Sequence, residues 1–290
     1  MNIKKIFVIG AGAMGAGIAQ TAITKGFDVI LNDVDMKFVE RAKANMEKAF
    51  TKNVERGKMT EEDKVAALGR LTLTTEYEPA ADVDLVIEAI FENYDAKQNI
   101  FKKLEGIVKP ECILATNTSS LSVTTIGSVL QDPTRFIGLH FFNPVPVMKL
   151  LEIVVGLCTS DELIATAKEF GAAMGKSPVV AKDNPGFIVN RCLVPYVNEG
   201  INIYAEGVAS VEDIDAGLRL GANHPMGPLE LGDLIGLDII LAVMEAFYRD
   251  FGDPKYRPSS LLKKMVAAKQ LGMKTGKGFY TYENGKKVTK

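Results

Sequence analysis

The chain has 290 residues, 47% of them hydrophobic, and carries 34 basic against 36 acidic side chains for a net charge of -2. That length can bury a real core in one large or two moderate domains, with two expected, and the balanced charge excludes a general attraction to nucleic acid or anionic membrane. Three cysteines, Cys112, Cys158 and Cys192, are odd in number and lack C-x-x-C spacing, which argues against a disulfide framework or metal cage and fits a reducing cytoplasm.

The first stretch, "KKIFVIGAGAMGAGIAQTAITKGFDVILND", opens with an apolar run rich in β-branched residues, turns at glycines, continues as an alanine-rich helix and re-enters an apolar run at 29–31. Two lysines before an uncharged segment imitate a signal peptide, but four glycines, Gln20 and Thr21 make residues 6–24 a poor membrane span. The spacing instead predicts a βαβ unit of about 30 residues. Gly10, Gly12 and Gly15 form G-x-G-x-x-G at the strand–helix junction, with Ala13 and Met14 opening the helix whose N-terminus faces a pyrophosphate. Asp33 closes the second run near the ~20-residue spacing at which a carboxylate accepts the ribose hydroxyls of adenosine. A carboxylate there repels a 2′-phosphate, so NAD is favoured over NADP, although the polar neighbour Asn32 leaves NADP possible.

Next comes the charged helical segment "MKFVERAKANMEKAFTKNVERGKMTEEDKVAALG", in which Thr60 and Asp63 make a capping-box-like start to a second helix. Lys48, Lys52 and Arg56 recur at i, i+4 and i+8 and share a face. They read either as a solvated surface or as a landing site for a phosphorylated ligand. Strand candidates then follow at 85–87, 113–115, 136–139 and 150–155, separated by helical stretches, the pattern of a mostly parallel sheet covered on both faces.

His140 follows the candidate strand 136–139, so it stands at the C-terminal end of a strand, where open α/β sheets place their ligands. A nicotinamide cofactor needs a partner that moves a proton while hydride moves, and histidine titrates nearest neutral pH. The other histidine, His224, lies in the loop-like "GANHPMGP". Glu152 interrupts the apolar run "KLLEIVVG", and a carboxylate buried there needs a partner. Spacing alone leaves two readings open: a His140–Glu152 pair, or a surface glutamate on an edge strand.

After "AKDNPGFIVN" strand signals stop and helical ones run to Tyr280. Asn184 and Pro185 predict a helix start, Ser210 with Asp213 caps another, Pro228 stands near the start of a long one, and 258–260 open one more. "LELGDLIGLDIILAVMEAF" is too apolar for one exposed helix, which points to burial against a second subunit.

Five segments in order, "VIGAGAMGAGIAQ", "ATNTSSLSVTTI", "GLHFFNPVPVMKLLEIV", "DNPGFIVNR" and "HPMGPLELGDLIGLD", resemble the L-3-hydroxyacyl-CoA dehydrogenase family, and within it the short bacterial 3-hydroxybutyryl-CoA dehydrogenases; the likeness runs on to "KTGKGFYTY". The resemblance implies a Rossmann-type α/β domain with an inserted helical pair (1–183), followed by an all-α C-terminal dimerisation domain (184–290). It implies NAD-dependent interconversion of (S)-3-hydroxybutyryl-CoA and acetoacetyl-CoA, with His140 as general base or acid and Glu152 orienting it. Ser119 matches a hydroxyl that contacts substrate and cofactor, and Asn190 a polar group near the substrate carbonyl. Asp33, Glu92, Lys97, Asn143 and Lys274 match NAD contacts, and Lys52 and Arg56 are candidates for CoA phosphate. Each also has an ordinary reading. Ser119 could be a turn or cap, Asn190 a polar helix residue, Asn143 a turn before Pro144, Glu92 an exposed acid, and Lys97 and Lys274 solvated lysines. The resemblance further implies a homodimer through the C-terminal domain, and neither nucleic acid, membrane nor metal is expected. Two rivals are a dehydrogenase of the same build acting on a hydroxy acid without CoA, and a non-catalytic NAD-binding protein.

Overall fold

An eight-stranded sheet organises the first of the two units into which the chain divides, Met1–Asn184 and Pro185–Lys290, in a computed structural model that describes residues 3–288. In chain order the first unit holds β1 (Lys5–Ile9), α1 (Ala13–Thr24), β2 (Asp28–Asn32), α2 (Met36–Glu55), α3 (Glu61–Gly69), β3 (Leu71–Thr74), β4 (Leu85–Glu88), α4 (Tyr94–Glu105), β5 (Ile113–Thr116), α5 (Val123–Gly127), β6 (Phe136–Phe141), β7 (Leu150–Val155), α6 (Asp161–Ala173) and β8 (Ser177–Lys182). The strand order is β3-β2-β1-β4-β5-β6-β7-β8. All neighbours pair in parallel except β6 and β7, which run antiparallel. Strand order reverses between β1 and β4, so a crevice opens beyond their C-terminal ends, the usual ligand position in such sheets.

The central strands are apolar almost without interruption because helices cover both faces. Ile6, Phe7, Val8, Val86 and Ile87 are fully buried. Strands β3 and β8, which the sequence did not announce, lie at the two sheet edges. Their residues are mostly half-buried or exposed, so they lack the dense apolar run that marks the central strands.

In the inserted pair, Val39, Ala42, Met46 and Phe50 bury one face of α2 at helical spacing. Burying a side chain such as Phe50 contributes about 1.5–3 kcal/mol, which holds this charged helix against the unit. The expected capping box is present: Thr60 Oγ1 accepts from the Asp63 amide at 3.0 Å, and the Asp63 carboxylate accepts from the Thr60 amide at 3.4 Å.

The second unit contains α7 (Val189–Ala205), α8 (Val211–Gly221), α9 (Pro228–Ile235), α10 (Leu237–Phe251) and α11 (Ser260–Ala267), plus a small antiparallel ladder of β9 (Tyr282–Glu283) and β10 (Lys286–Lys287). The expected helix start at Asn184 and Pro185 is corrected to Val189. Gly186 at φ 76° and Phe187 at φ 50° occupy the left-handed region, which no right-handed helix continues through. The single long helix expected after Pro228 is also corrected: Gly236, at φ 105°, breaks it into α9 and α10. Helix α10 is sided rather than apolar all round, with Leu237, Ile240, Val243, Met244 and Phe247 buried and Glu245, Arg249 and Asp250 exposed, although Ile239 and Tyr248 are exposed too.

The C-terminal segment closes over this unit through two buried aspartates. Asp215 accepts from the amides of Leu229 and Glu230 and from the Tyr280 hydroxyl. Asp233 accepts from the amides of Phe279 and Tyr280 and from the Tyr282 hydroxyl. No helix among the described residues is long and apolar enough to cross a membrane.

Candidate active site

The glycine turn after β1 has the geometry of a dinucleotide cradle. Gly10 sits at φ 96°, and a Cβ there would stand 2.6 Å from the Ala89 carbonyl oxygen. A Cβ on Gly15 would stand 1.8 Å from the Gly10 carbonyl oxygen, so that glycine lets α1 pack on the turn. Gly12, by contrast, faces open space and forms the N-cap of α1 without a side-chain cap. The backbone at Ala13 and Met14, the first two helical residues, is thus available to an anion.

Asp33 leaves the end of β2 toward this turn. Its Oδ2 accepts from the Ala11 amide at 2.6 Å and its Oδ1 from the Val34 amide at 2.7 Å. The anchored carboxylate lines a cavity of about 570 Å³ whose walls include Gly10, Gly12, Phe38, Tyr77, Ala89 and Ile90. Burial, followed by the charge of Asp33, pushes the Tyr77 hydroxyl above its ordinary pKa. Apolar walls with one carboxylate suit an adenosine whose ribose hydroxyls donate to Asp33. The help that Asn32 was expected to offer a 2′-phosphate is corrected by its partners: Asn32 is buried, and its amide donates to the carbonyls of Thr74 and Glu76.

Farther along the same sheet edge, antiparallel register sets His140 directly opposite Glu152. Side chains opposite one another in such a pair project from the same face. His140 Nδ1 lies 2.7 Å from Glu152 Oε2, with His140 5% and Glu152 0% exposed. The reading of Glu152 as a surface residue on an edge strand is therefore removed, since β7 lies between β6 and β8. The pairing directs Nδ1 to the carboxylate and leaves proton exchange with any substrate to Nε2. The Phe142 ring tilts against the imidazole with centroids 4.5 Å apart, and Asn117 Oδ1 accepts from the Phe141 amide at 2.8 Å, joining the ends of β5 and β6.

Between these two sites lies a charged network. Glu92 Oε1 accepts from the Ser119 amide at 2.6 Å and from Ser119 Oγ at 3.0 Å, while both Glu92 oxygens accept from Thr118 Oγ1. Lys97, read as a solvated helix lysine on the ordinary view, is instead fully buried. Its ammonium donates to Glu88 Oε1 at 2.6 Å and lies 3.4 Å from Glu92 Oε2. Sequence reasoning missed Glu88, although an acid closing the buried strand β4 is the same signal that singled out Glu152. It also missed Lys176, whose ammonium donates to the carbonyls of Val145 and Met148 and pins the turn that follows the exposed Asn143. Burial, followed by the charge of Lys25, holds Lys176 below the ordinary lysine pKa.

The remaining candidates stand on other elements. Lys52 is exposed in the last turn of α2, and Arg56 is exposed as its C-cap. In the second unit, Asn190 stands half-buried in the first turn of α7, and Lys274 Nζ lies 2.5 Å from Asp238 Oδ1. His224 belongs to that unit too, exposed and 3.0 Å from the Tyr196 hydroxyl.

Residues 5–184 match the model of the 3-hydroxyacyl-CoA dehydrogenase NAD binding domain, and residues 186–282 match that of the 3-hydroxyacyl-CoA dehydrogenase C-terminal domain. A probable 3-hydroxybutyryl-CoA dehydrogenase of Deinococcus radiodurans is 50% identical over 278 residues, covering 96% of this chain and 100% of its own. The 3-hydroxybutyryl-CoA dehydrogenase of Clostridioides difficile is 49% identical over 278 residues, covering 96% of this chain and 99% of its own. The crystal structure of the (S)-3-hydroxybutyryl-CoA dehydrogenase of Ralstonia eutropha superposes with a TM-score of 0.95 at 47% identity, covering 98% of this chain and all of that one.

Proposed function

Since the chain belongs to the 3-hydroxyacyl-CoA dehydrogenase family and is an NAD-dependent oxidoreductase, we propose that it interconverts (S)-3-hydroxybutyryl-CoA and acetoacetyl-CoA. The observation that carries this reading is the buried His140–Glu152 pair, 2.7 Å apart on the same sheet edge as the glycine turn. A proton-transfer group is thereby held beside a nucleotide site.

NAD supplies the hydride acceptor at its nicotinamide when it is bound. Gly10, Gly12, Gly15, Ala13 and Met14 would hold its pyrophosphate and Asp33 its adenosine ribose. Glu92, Asn143 and Lys274 would be its further contacts, supported by the family resemblance, and Lys97, fully buried against Glu88 and Glu92, would act on the cofactor through Glu92. In the oxidative direction His140 Nε2 takes the proton of the 3-hydroxyl as hydride leaves C3. In reduction the imidazolium returns that proton to the carbonyl oxygen. Glu152 holds Nδ1–H and offsets the ring's positive charge in both directions. Ser119 and Asn190 position the substrate oxygen so that C3 stays within reach of the cofactor.

Lys52 and Arg56, exposed at the end of the inserted helix, are assigned to CoA phosphate. We assign a homodimer through the helical unit, supported by the exposed apolar side chains Leu220, Leu234 and Ile239 there, and a cytoplasmic location, supported by three free cysteines. Steady-state assays with NADH test the substrate: acetoacetyl-CoA should be reduced far more efficiently than free acetoacetate. Equal efficiency for the two would sink the CoA assignment.

A further inference from the structure

The fully buried Glu88 ends β4, and its carboxylate ties together the turn that follows β4, α4 and β5. Its Oε1 accepts from the Ile90 amide at 2.7 Å and from Lys97 at 2.6 Å, and its Oε2 accepts from Thr116 Oγ1 at 2.7 Å. Thr116 belongs to β5 and Lys97 to α4, and the side chains of Glu88 and Lys97 are 0% and 1% exposed. Taking both ions out of water is costly unless they are closely paired and hydrogen-bonded. A neutral side chain would pack in this place more simply.

The Lys97 ammonium faces two carboxylates unequally, Glu88 at 2.6 Å and Glu92 at 3.4 Å. Glu88 takes the close contact. Glu92 is then left to hold the amide and hydroxyl of Ser119. Without the Glu88 charge, the buried ammonium would turn to Glu92 Oε2, the other carboxylate oxygen beside it, and draw away the carboxylate whose Oε1 holds Ser119.

We propose that Glu88 is a positioning residue for Ser119, acting through Lys97 and Glu92. It also fixes the Ile90 amide in the wall of the nucleotide cavity. The proposal rests on the dehydrogenase reading above, in which Ser119 meets cofactor and substrate, but it is tested on cofactor binding alone.

The experiment is a double-mutant cycle on NADH affinity, read by titrating NADH fluorescence against the unmutated protein, Glu88→Gln, Ser119→Ala and the double variant. Coupled neighbours differ from independent ones by interaction terms large enough to show here, so Glu88→Gln should weaken NADH about tenfold in the unmutated background and less than about twofold in Ser119→Ala. An equal loss in both backgrounds would mean that Glu88 acts on NADH independently of Ser119, through the Ile90 amide or the fold, and no loss in either would mean that it serves neither; both overturn the proposal. If Glu88→Gln does not fold, Thr116→Val removes the donor that holds Glu88 Oε2 and so loosens its grip on Lys97 without deleting the charge. Its loss should be about threefold and should vanish in Ser119→Ala, and an unchanged affinity overturns the proposal. A protein that binds NADH but leaves acetoacetyl-CoA unreduced fails the substrate reading and still scores this one.

Discussion

Glu152 occupies the middle of an apolar strand with 0% exposure, so its charge has to be matched by a neighbour. His140 supplies that match at 2.7 Å. Glu152→Gln keeps the shape and removes the charge that stabilises an imidazolium. Turnover should then fall by about 100-fold or more, the scale of acid–base contributions, while NADH affinity stays within about twofold; rapid-mixing kinetics and fluorescence titration read the two separately. Oxidation of the 3-hydroxyl releases a proton and reduction of the carbonyl consumes one, so raising the pH should favour the first over the second. Cys112 makes a contrasting case: burial pushes its thiol up to about 12, whereas Cys158 is exposed. Because the thiolate is the reactive form, iodoacetamide should modify Cys158 in the native protein and leave Cys112 intact, as peptide mass mapping would show. The polarity of Glu152 inside "KLLEIVVG" was legible in the sequence; His140 as its partner stayed one of two readings there, because pairing depends on which strand lies alongside and in what register.

Among the elements, the glycine turn, α2 and the capping box of α3 follow from local sequence, since each rests on spacing within a few residues. Gly15→Ala would place a Cβ 1.8 Å from the Gly10 carbonyl oxygen, so α1 has to shift off the turn and NADH binding should be lost. A calorimetric titration in which the variant bound NADH normally would contradict that expectation. The break between α9 and α10 was less legible, because the apolar pattern runs straight through "LELGDLIGLDIILAVMEAF". Only the φ of 105° at Gly236 exposes it, together with Lys274 Nζ at 2.9 Å and Asp238 Oδ1 at 3.0 Å from a Cβ built there. Gly236→Ala should cost about 1–3 kcal/mol, measurable as a lowered midpoint in urea unfolding. Strands β3 and β8 escaped notice for a related reason: edge strands bury less and need fewer apolar residues than the centre.

For the whole molecule, the proposed roles divide between the two units, with Ser119, His140 and Glu152 in the first and Asn190 in the second. Asn190→Ala should therefore lower kcat/KM for acetoacetyl-CoA while NADH affinity, carried mostly by the first unit, changes little. Sedimentation equilibrium should give twice the mass of one chain, and a monomer at micromolar concentration would remove the proposed interface. Length, β-branched runs and glycine spacing by themselves determined a nucleotide-binding α/β unit followed by a helical one, because backbone sterics and the 2.0 and 3.6 periods act over short distances. Register and burial decided the rest. Only the paired sheet sets His140 against Glu152 and encloses Glu88 with Lys97, because a charge's partner is chosen by what else is buried beside it.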